Sequence, residues 1–323
     1  MRQINLSVIM HHLREKAPIS RAELATLTGL NKTTVSSLVR ELIDRQFVRE
    51  VGFEEPGSRQ GAGRLGVLLT PDPAAGYIVS AELGVDFILV TTANFAPEII
   101  WRYKEAISPD MGQQVILDRM LALLHQAIKE GKKICHTLLG VAVGVPGLVD
   151  QASGTLIFAP NLRWEQVPIR AELSKFVQAP VVVDNEASMA ALGEHYFGAA
   201  QGFDEMLYIS AGVGLGGGIV HNGRIYSGAS GFGAEFGHIT MDPEGDLCNC
   251  GNRGCWETQV SQRALFRYLR RGVGQGRSSR LVEMTRDNLG RLTVSMVVEA
   301  AKAGDTLALE ALEEAKQLLL ARA

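Results

Sequence analysis

The sequence predicts an α/β protein in which an N-terminal winged helix-turn-helix domain precedes a larger body of two α/β lobes. Three observations lead to this prediction. Residues 18–50 hold two short amphipathic helices separated by a glycine turn. From Gly76 onward, β-rich segments alternate with amphipathic helices. Two strand–glycine turn–strand patterns, at 79–90 and 206–228, suggest two copies of one half-domain.

These patterns place the domain boundaries. A chain of 323 residues is long enough for two or three domains with their own cores. We expect a DNA-binding domain at residues 1–70 and a ligand-binding domain at 71–323. Within the second domain, we expect the following parts: a first lobe at about 71–186, a second lobe at about 187–300, and a C-terminal helical segment at 301–323.

The net charge of −3 is unevenly distributed. Residues 1–66 carry ten Lys and Arg against seven Asp and Glu, whereas the remainder carries 22 against 28. A basic N-terminal segment on an acidic body is compatible with nucleic-acid binding by that segment alone. No apolar run approaches the length of a membrane span, and no signal peptide is evident, so we expect a cytoplasmic protein that does not enter a membrane.

The helix-turn-helix prediction rests on capping residues and apolar spacing. Ser20 and Glu23 form a capping box that opens the first helix. Gly29 ends that helix, because glycine tolerates a left-handed turn. Asn31 caps the second helix, whose apolar residues recur at helical spacing: Val35, Leu38, Val39 and Leu42. The apolar side of the first helix is expected to consist of Ala22, Leu24, Ala25 and Leu27.

The second helix is the expected DNA reader. In such a unit this helix enters the major groove with its N-terminal residues first. Short hydroxyls and cations suit phosphates and base edges. The residues expected to contact DNA on this helix are Lys32, Thr33, Thr34, Ser36, Ser37 and Arg40. A helical pair that binds protein is the alternative, and the cationic exposed face favours DNA.

A β-hairpin wing is expected after the second helix. The segments "FVRE" and "VLLT" read as two strands that flank a long glycine-rich tip. The tip carries Arg59 and Arg64, which can reach a minor groove in such a wing. A solvated loop that contacts nothing is an equally good interpretation of the same residues.

The first part of the body predicts a sheet with helices on it. "GYIVSAEL", "FILVTTANF" and "IIWRYKEAI" read as three consecutive strands, and residues 112–131 as an amphipathic helix. Residues 138–150 predict a buried strand that runs into a Pro-Gly turn. Residues 181–186 predict another buried strand, with a helix after it. Polar residues at such strand ends are expected to face a ligand.

The glycine-rich segment at 206–228 predicts a β-hairpin. It looks at first like a dinucleotide-binding fingerprint, but no helix follows the glycines. Instead, Asn222 and Gly223 predict a type I′ turn between two strands. Paired lobes with glycine hairpins that face a cleft are typical of the actin-like (ribonuclease H-like) sugar-kinase fold, which we therefore expect for the body.

Residues 237–257 predict a metal site. Three of the four cysteines follow one histidine by ten, twelve and seventeen positions. Three thiolates and an imidazole make a closed tetrahedral zinc site, which is structural because no position is left for an activated water. The expected ligands are His238, Cys248, Cys250 and Cys255. A set of reduced, buried cysteines is the alternative.

A structural zinc would also fix its neighbours. If one nitrogen of His238 binds the metal, the other can donate to a ligand. Glu235 lies one helical turn earlier and Glu257 lies just past Cys255, so both are expected beside the metal. Two carboxylates and an imidazole around one point suit the hydroxyls of a sugar.

These motifs resemble the ROK family of repressors, open reading frames and sugar kinases. "ISAGVGLGGGIVHNGRIYSGASGFGAEFGH" looks like the family signature, and "CNCGNRGCWE" looks like its cysteine motif. "GVPGLVD", "APNLRWEQVPI" and "DNEASMAALGE" match further family segments in the expected order. The resemblance extends from the helix-turn-helix to about residue 310. It implies the zinc ligands named above and a sugar site formed by Asn161, Asn185, Glu186, Glu235, His238 and Glu257.

The resemblance covers both kinases and repressors, and this sequence departs from the kinases. Kinase members hold ATP phosphates with an Asp-x-Gly-Gly-Thr turn, whereas Glu82 to Asp86 lack the second glycine and the threonine. The carboxylate of Asp86 would repel a triphosphate by roughly a few kcal/mol. Glu186 stands where a kinase has its aspartate base, and its extra methylene could cost roughly a hundredfold in rate. A chain that ends at 323 would also lack the segment that completes the adenine pocket.

The sequence therefore predicts a sugar-responsive transcriptional repressor that is not an enzyme, most similar to the xylose repressors of the family. We expect a homodimer on operator DNA, with a small sugar bound between the lobes that alters operator binding. An ATP-dependent sugar kinase that retains a DNA-binding arm is one alternative. A regulator that responds to a partner protein is another, although the sugar ligands Glu235, Asn185 and Glu257 are present.

Overall fold

The computed structural model describes residues 1–55, 65–229 and 231–320. The chain divides into two compact units. Unit 1 comprises Met1–Gly144 and Pro168–Val183, and unit 2 comprises Val145–Val167 and Asp184–Ala323. In the described ranges, no helix combines the length and apolarity that a membrane span requires.

The N-terminal part of unit 1 is a winged helix-turn-helix. Its elements are α1 (Arg2–Lys16), β1 (Ile19–Ser20), α2 (Arg21–Thr28), α3 (Lys32–Asp44), β2 (Val48–Phe53) and β3 (Val67–Pro71). The three strands form a sheet in the order β1-β3-β2. The predicted pair of helices and the predicted wing strands are therefore confirmed, whereas α1 had no counterpart in the sequence-based prediction.

The predicted caps of α2 and α3 are present. The Ser20 hydroxyl accepts from the Glu23 amide, and the Glu23 carboxylate accepts from the Ser20 amide at 3.1 Å. Gly29 has φ of 68°, which requires the left-handed conformation that glycine adopts without strain. Asn31 Oδ1 accepts from the amide of Thr34 at 2.7 Å and closes the first turn of α3.

The core of this domain is formed by all three helices and the sheet. The residues buried in it are Ile9, Leu13, Ile19, Leu24, Ala25, Val35, Leu38, Val39, Leu42, Val48 and Leu69. One expectation for the apolar side of α2 is wrong, because Leu27 is 40% exposed. The buried stripe of α2 is centred between Leu24 and Ala25, and Leu27 lies to one side of it.

The remainder of the chain alternates strands and helices, as predicted. The first elements are β4 (Tyr77–Leu83), β5 (Phe87–Asn94), β6 (Ile99–Ala106), α4 (Gln113–Lys132) and β7 (Leu138–Val145). There follow β8 (Leu148–Asp150), β9 (Thr155–Ala159), β10 (Trp164–Val167), α5 (Ile169–Ser174) and β11 (Val181–Asn185). The last are α6 (Glu186–Phe197), β12 (Met206–Ala211), β13 (Leu215–His221), β14 (Arg224–Ile225), α7 (Glu257–Val260), α8 (Gln262–Gly274), α9 (Arg280–Met284), α10 (Val294–Lys302) and α11 (Thr306–Leu320).

A five-stranded sheet in the order β11-β7-β4-β5-β6 forms the core of unit 1. β4 pairs with β7 in parallel and with β5 antiparallel. Helix α4 covers one face, and its contact with β4 is close because Gly131 has no side chain. A Cβ at Gly131 would lie 2.3 Å from the ring of Tyr77, whose hydroxyl donates to the carbonyl of Ile128 at 3.2 Å.

Two three-stranded sheets belong to unit 2, in the orders β10-β9-β8 and β12-β13-β14. Asn222 and Gly223 both have positive φ, 50° and 68°, so the predicted I′-type turn between β13 and β14 is confirmed. Helix α6 packs on β13, where a Cβ at Gly218 would lie 2.5 Å from the Cβ of Ala191. The glycines of this hairpin therefore serve close helix–strand packing.

The contact between Gly131 and Tyr77 can be tested directly. We expect Gly131→Ala to lower the free energy of unfolding by about 1–3 kcal/mol, because the added methyl group must displace a buried ring. The measurement is urea unfolding followed by circular dichroism. Gly193→Ala in α6 is the matched control, since nothing lies within 4 Å of its added Cβ and it should gain up to about 1 kcal/mol. Equal stability of Gly131→Ala and the unmodified protein would contradict this packing.

Candidate functional site

Helix α3 presents the residues expected to contact DNA. Its apolar stripe lies in the domain core, and its opposite face is open to solvent. The residues of the predicted set that are exposed are Lys32, Thr33, Ser36, Ser37 and Arg40, while Thr34 is half-buried. The N-terminal end of α3 therefore carries a continuous surface of hydroxyls and cations. Arg59 and Arg64, the predicted wing contacts, lie outside the described residues.

In unit 2 the structure brings together the four predicted metal ligands, here called the metal cluster: His238, Cys248, Cys250 and Cys255. One donor atom from each lies within 4.8 Å of all the others. His238 Nδ1 is 3.7 Å from Cys248 Sγ, and Cys250 Sγ is 3.7 Å from Cys255 Sγ. Because these distances converge on one point, the cluster can hold a metal ion.

The donor set and spacing of the metal cluster fit a tetrahedral ion. Zinc–sulfur bonds of about 2.3 Å place two sulfurs of a tetrahedron about 3.8 Å apart. The observed donor separations of 3.7 Å are close to this value. Burial raises the pKa of the Cys248 and Cys255 thiols, so without a cation both would remain protonated.

Glycine turns shape the loop that carries the cysteines. Gly251 and Gly254 have φ of 98° and 60°, which other residues rarely adopt. The amide of Cys248 donates to the carbonyl of Asn252 at 2.8 Å and closes the loop. At Gly254 a Cβ would collide with the carbonyl oxygen of Asp242, so this position accepts no side chain. The sequence signal of glycines between cysteines therefore has a direct structural reason.

Glu257 links the metal cluster to the glycine hairpin. It is 8% exposed and begins α7. Its Oε2 accepts from the amide of Leu215 at 2.9 Å, and its Oε1 lies 3.7 Å from Cys248 Sγ. A Cβ at Gly214 would lie 2.4 Å from Glu257 Oε2 and 2.9 Å from Asn161 Nδ2. The structure thus brings two predicted sugar ligands, Glu257 and Asn161, to the same glycine.

Glu235 is electrostatically coupled to the same group of residues. Burial raises the pKa of its carboxyl, the nearby charge of Glu257 raises it further, and His238 opposes both effects. The backbone also joins two of these residues, because the amide of His238 donates to the carbonyl of Glu235 at 3.2 Å. Glu235, His238 and Glu257 therefore form one polar patch beside the metal cluster.

Asn185 has a structural task besides its predicted role. Its Oδ1 caps α6 by accepting from the amides of Ala187 and Ser188 at 2.9 and 3.1 Å. Its Nδ2 donates to the carbonyl of Gly147 at 3.1 Å, which leaves a second N–H on the same nitrogen. Asn185 and Glu235 line one narrow crevice. Asn185 is therefore held in a fixed orientation towards that crevice.

All six predicted sugar ligands lie in unit 2. Glu186 begins α6, and its Oε1 is 4.0 Å from the position of a Cβ at Gly216. Of the six, Asn161 and Glu257 lie at Gly214 and Glu186 lies near Gly216, all at the β12–β13 hairpin.

Four polar residues of the crevice were missed from the sequence: Gln151, Asp184, Ser188 and Ser227. Gln151 Nε2 donates to Asp184 Oδ2 at 2.8 Å and to Ser227 Oγ at 3.4 Å. These three line the crevice together with Asn185. Asp184 could have been found from its position at the end of β11, but nothing in the local sequence marks Gln151 or Ser227.

Asn249 was also missed. It lies between two cysteines of the metal cluster, and its side-chain amide donates to Asn161 Oδ1 at 2.8 Å. The cysteine loop therefore contacts a predicted sugar ligand directly.

The turn expected to stand in place of a kinase phosphate turn, Glu82 to Asp86, lies in unit 1, between β4 and β5. The amide of Gly84 donates to the carbonyl of Phe87 at 2.8 Å, and a Cβ at Gly84 would lie 2.4 Å from the ring of Phe87. An aromatic ring thus covers the remaining glycine. Burial raises the pKa of the Glu82 carboxyl, an effect that Lys104 and Arg102 oppose. The turn presents carboxylates and a ring rather than the open backbone amides that a phosphate needs.

Comparisons with known proteins agree with these features. Residues 79–323 match the ROK family, and residues 5–49 match a winged helix-turn-helix DNA-binding family. The xylose repressor of Caldicellulosiruptor bescii is 36% identical over 304 residues, which cover 94% of this chain and 75% of that relative.

Two solved structures confirm the predicted fold class. One is a ROK family transcriptional regulator, a homologue of the E. coli MLC protein, with a TM-score of 0.78 and 29% identity; the match covers 98% of this chain and 78% of that chain. The other is a ROK family glucokinase from Streptomyces griseus in complex with glucose and AMPPNP. Its TM-score is 0.68 at 33% identity, with 75% of this chain and 76% of that chain covered.

The metal cluster can be tested by removal of one donor. We expect the purified protein to carry about one tetrahedrally bound metal ion per chain and Cys250→Ser to carry far less, since three donors no longer close the tetrahedron. Elemental analysis after gel filtration measures this. Cys135→Ser is the matched control, because Cys135 is a buried thiol of unit 1 that donates to the carbonyl of Ala74. Unchanged metal content in Cys250→Ser would refute the assignment.

Proposed function

This chain belongs to the ROK family, and we propose that it is a repressor whose operator affinity is set by a sugar bound beside a structural zinc. The observation that carries the proposal is the placement of Glu235, His238 and Glu257 against a four-donor metal cluster. The same chain begins with a winged helix-turn-helix. A reader of DNA and a candidate polyol site are therefore combined in one polypeptide.

The zinc would be held by His238, Cys248, Cys250 and Cys255. Its contribution is to fix the geometry of the loop, since four protein donors leave no open position for a water. His238 Nδ1 lies 3.7 Å from Cys248 Sγ, so Nε2 is the nitrogen proposed to meet a sugar hydroxyl. Glu257 is oriented by the amide of Leu215 and can accept hydrogen bonds from hydroxyls on its cysteine side.

A sugar fits the remaining ligands by its hydrogen-bonding chemistry. Adjacent hydroxyls of a pyranose donate well to carboxylates, and Glu235 and Glu257 supply two. Asn161 and Asn185 supply amides, and Glu186 supplies a third carboxylate at the start of α6. Xylose is the first sugar to test, because the relative from Caldicellulosiruptor bescii is a xylose repressor.

Operator recognition is assigned to α3 and its exposed N-terminal half. Arg40 and Lys32 neutralise phosphates or read bases. Four hydroxyls bond to the DNA backbone: those of Thr33, Thr34, Ser36 and Ser37. Arg59 and Arg64 on the wing are proposed to add minor-groove contacts. One recognition helix gives modest affinity, so we propose a homodimer on a two-fold symmetric operator.

The sugar acts on DNA binding through a difference in affinity. A ligand shifts an equilibrium only as far as it prefers one conformation of the protein over another. If sugar weakens operator binding, operator DNA must weaken sugar binding by the same factor, which is typically about 5–150-fold. This reciprocity distinguishes a true effector from a sugar that merely binds the protein.

Phosphoryl transfer is disfavoured by the residues of the β4–β5 turn and by Glu186. The carboxylates of Glu82 and Asp86 would repel the phosphates of ATP, and the ring of Phe87 lies against the one glycine of the turn. Glu186 would replace the aspartate base of a kinase, with its carboxylate displaced by one methylene. Hydrogen bonding to a sugar tolerates that displacement, but proton abstraction in the transition state tolerates it poorly.

Fluorescence anisotropy with labelled operator DNA tests the proposal. We expect xylose, among a panel of pentoses and hexoses, to reduce operator affinity about 5–150-fold. The upstream region of the chain's own operon is the first DNA to use. If operator binding is the same with every sugar of the panel, the sensor function is refuted.

Substitutions in α3 separate DNA binding from sugar binding. We expect Thr34→Ala and Arg40→Ala to weaken operator binding by about 1–3 kcal/mol while the sugar affinity stays unchanged. Arg271→Ala is the control. Arg271 is an exposed arginine on α8 in unit 2, and its substitution removes the same charge as Arg40→Ala. Equal losses in Arg40→Ala and Arg271→Ala would show that only net charge matters.

The kinase alternative has its own test. A coupled assay for ADP release with xylose and glucose should give no turnover above the ATPase background. The ROK glucokinase found among the structural matches shows that the fold supports such chemistry, so this assay is informative. Robust turnover would overturn the repressor assignment.

A further inference from the structure

We propose that Cys250 and Cys255 form an oxidative modification site, at which a hydroperoxide joins the two thiols in a disulfide and thereby disables the neighbouring sugar site. The disulfide itself is independent of the proposed function. Its effect on sugar binding rests on that function.

The two thiols are placed for this reaction. Cys250 Sγ lies 3.7 Å from Cys255 Sγ, so a disulfide of about 2.05 Å needs a movement of less than 2 Å. Only four residues separate the two cysteines in sequence, and two of them, Gly251 and Gly254, have positive φ that bends the loop back on itself. A short loop that already brings two sulfurs into contact requires little further ordering.

Solvent exposure distinguishes the thiol that reacts with the peroxide from the thiol that then forms the disulfide with it. Cys250 is partly open to solvent, whereas Cys248, Cys255 and Cys135 are buried. Oxidants reach accessible sulfurs that have a second thiol beside them. Cys250 is therefore the residue that reacts with the oxidant, and Cys255 is the residue that attacks the sulfenic acid formed on Cys250.

The reaction balances with the hydroperoxide as the only oxidant. The sulfur of Cys250 attacks one peroxide oxygen, the O–O bond breaks, and the other oxygen leaves as water or an alcohol after it takes up a proton. The resulting sulfenic acid is attacked by the sulfur of Cys255, which releases its oxygen as water and forms the S–S bond. Two sulfurs lose two electrons in total, and the peroxide gains them.

The disulfide has two structural consequences. A metal ion in the cluster would lose two of its four donors, and His238 and Cys248 alone do not make a closed site. The movement of Cys250 also displaces Asn249, whose side chain donates to Asn161 at 2.8 Å. Since Cys255 Sγ also contacts the carbonyl of His238 at 3.6 Å, both sides of the polar patch are disturbed.

The remaining cysteine provides an internal control. Cys135 is buried in unit 1, and its thiol donates to the carbonyl of Ala74 at 2.9 Å. It belongs to a different unit from the three clustered cysteines. Cys135→Ser therefore removes one thiol without a change at the proposed modification site.

The experiment treats the metal-loaded full chain with graded hydrogen peroxide. Zinc release is followed with a chromogenic chelator, the remaining thiols are alkylated, and disulfide-linked peptides are identified by mass spectrometry. We expect one Cys250–Cys255 disulfide and one released zinc per chain, the same in Cys135→Ser. Dithiothreitol with added zinc should restore the reduced, metal-bound protein. Zinc retention and free thiols at peroxide doses that oxidise free cysteine would overturn the proposal, and so would a disulfide that links a different pair.

Xylose titration of the reduced and oxidised forms separates the two proposals. We expect the disulfide form to bind xylose at least tenfold more weakly. Equal xylose affinity in both forms would overturn the inferred link to the sugar site. If xylose binds neither form while the disulfide and the zinc release occur, the modification site is supported and the proposed sugar function fails.

Discussion

The convergence of His238, Cys248, Cys250 and Cys255 on one point is the constraint on which the rest of the site depends. Three buried or half-buried thiols and one imidazole meet there with the donor set of a tetrahedral metal site, so the cluster can hold one cation. Metal binding and local folding are then one process, because such a site does not exist in the unfolded chain. The neighbouring carboxylate of Glu257 takes its position from the same loop and from the amide of Leu215.

The fold shows how one architecture can serve a kinase or a regulator. Sugar recognition needs acceptors and donors at fixed positions, and unit 2 holds the six polar residues proposed for that role. Phosphate recognition needs exposed backbone amides, but in unit 1 the β4–β5 turn carries carboxylates and the ring of Phe87 instead. Changes in the β4–β5 turn that oppose phosphate binding do not alter the polar residues of unit 2. A sugar site that catalyses no phosphoryl transfer is useful only if another domain responds to the bound sugar, and the winged helix-turn-helix is the domain proposed for that response.

Local sequence rules predicted much of this structure. The caps at Ser20 and Asn31, the turn at Asn222 and the cysteine spacing each depend on interactions within a few residues, so the chain itself reveals them. Helix α1 was missed because it has no capping residue and little amphipathic contrast; only Ile9 and Leu13 are buried from it. The bonds from Gln151 to Asp184 and from Asn249 to Asn161 join residues 33 and 88 positions apart. Contacts at such separations depend on tertiary packing, which no local pattern encodes.

The most direct test of the account is the xylose affinity of the protein with and without its metal. Calorimetric titration of the zinc-loaded chain and of the same chain after chelation would compare the two, with circular dichroism to show that the helices persist. We expect chelation to weaken xylose binding at least about tenfold, because His238 and the loop that carries Glu257 would lose the ion that fixes their orientation. Equal affinity in the chelated protein would contradict it, since the sugar site would then owe nothing to the metal cluster.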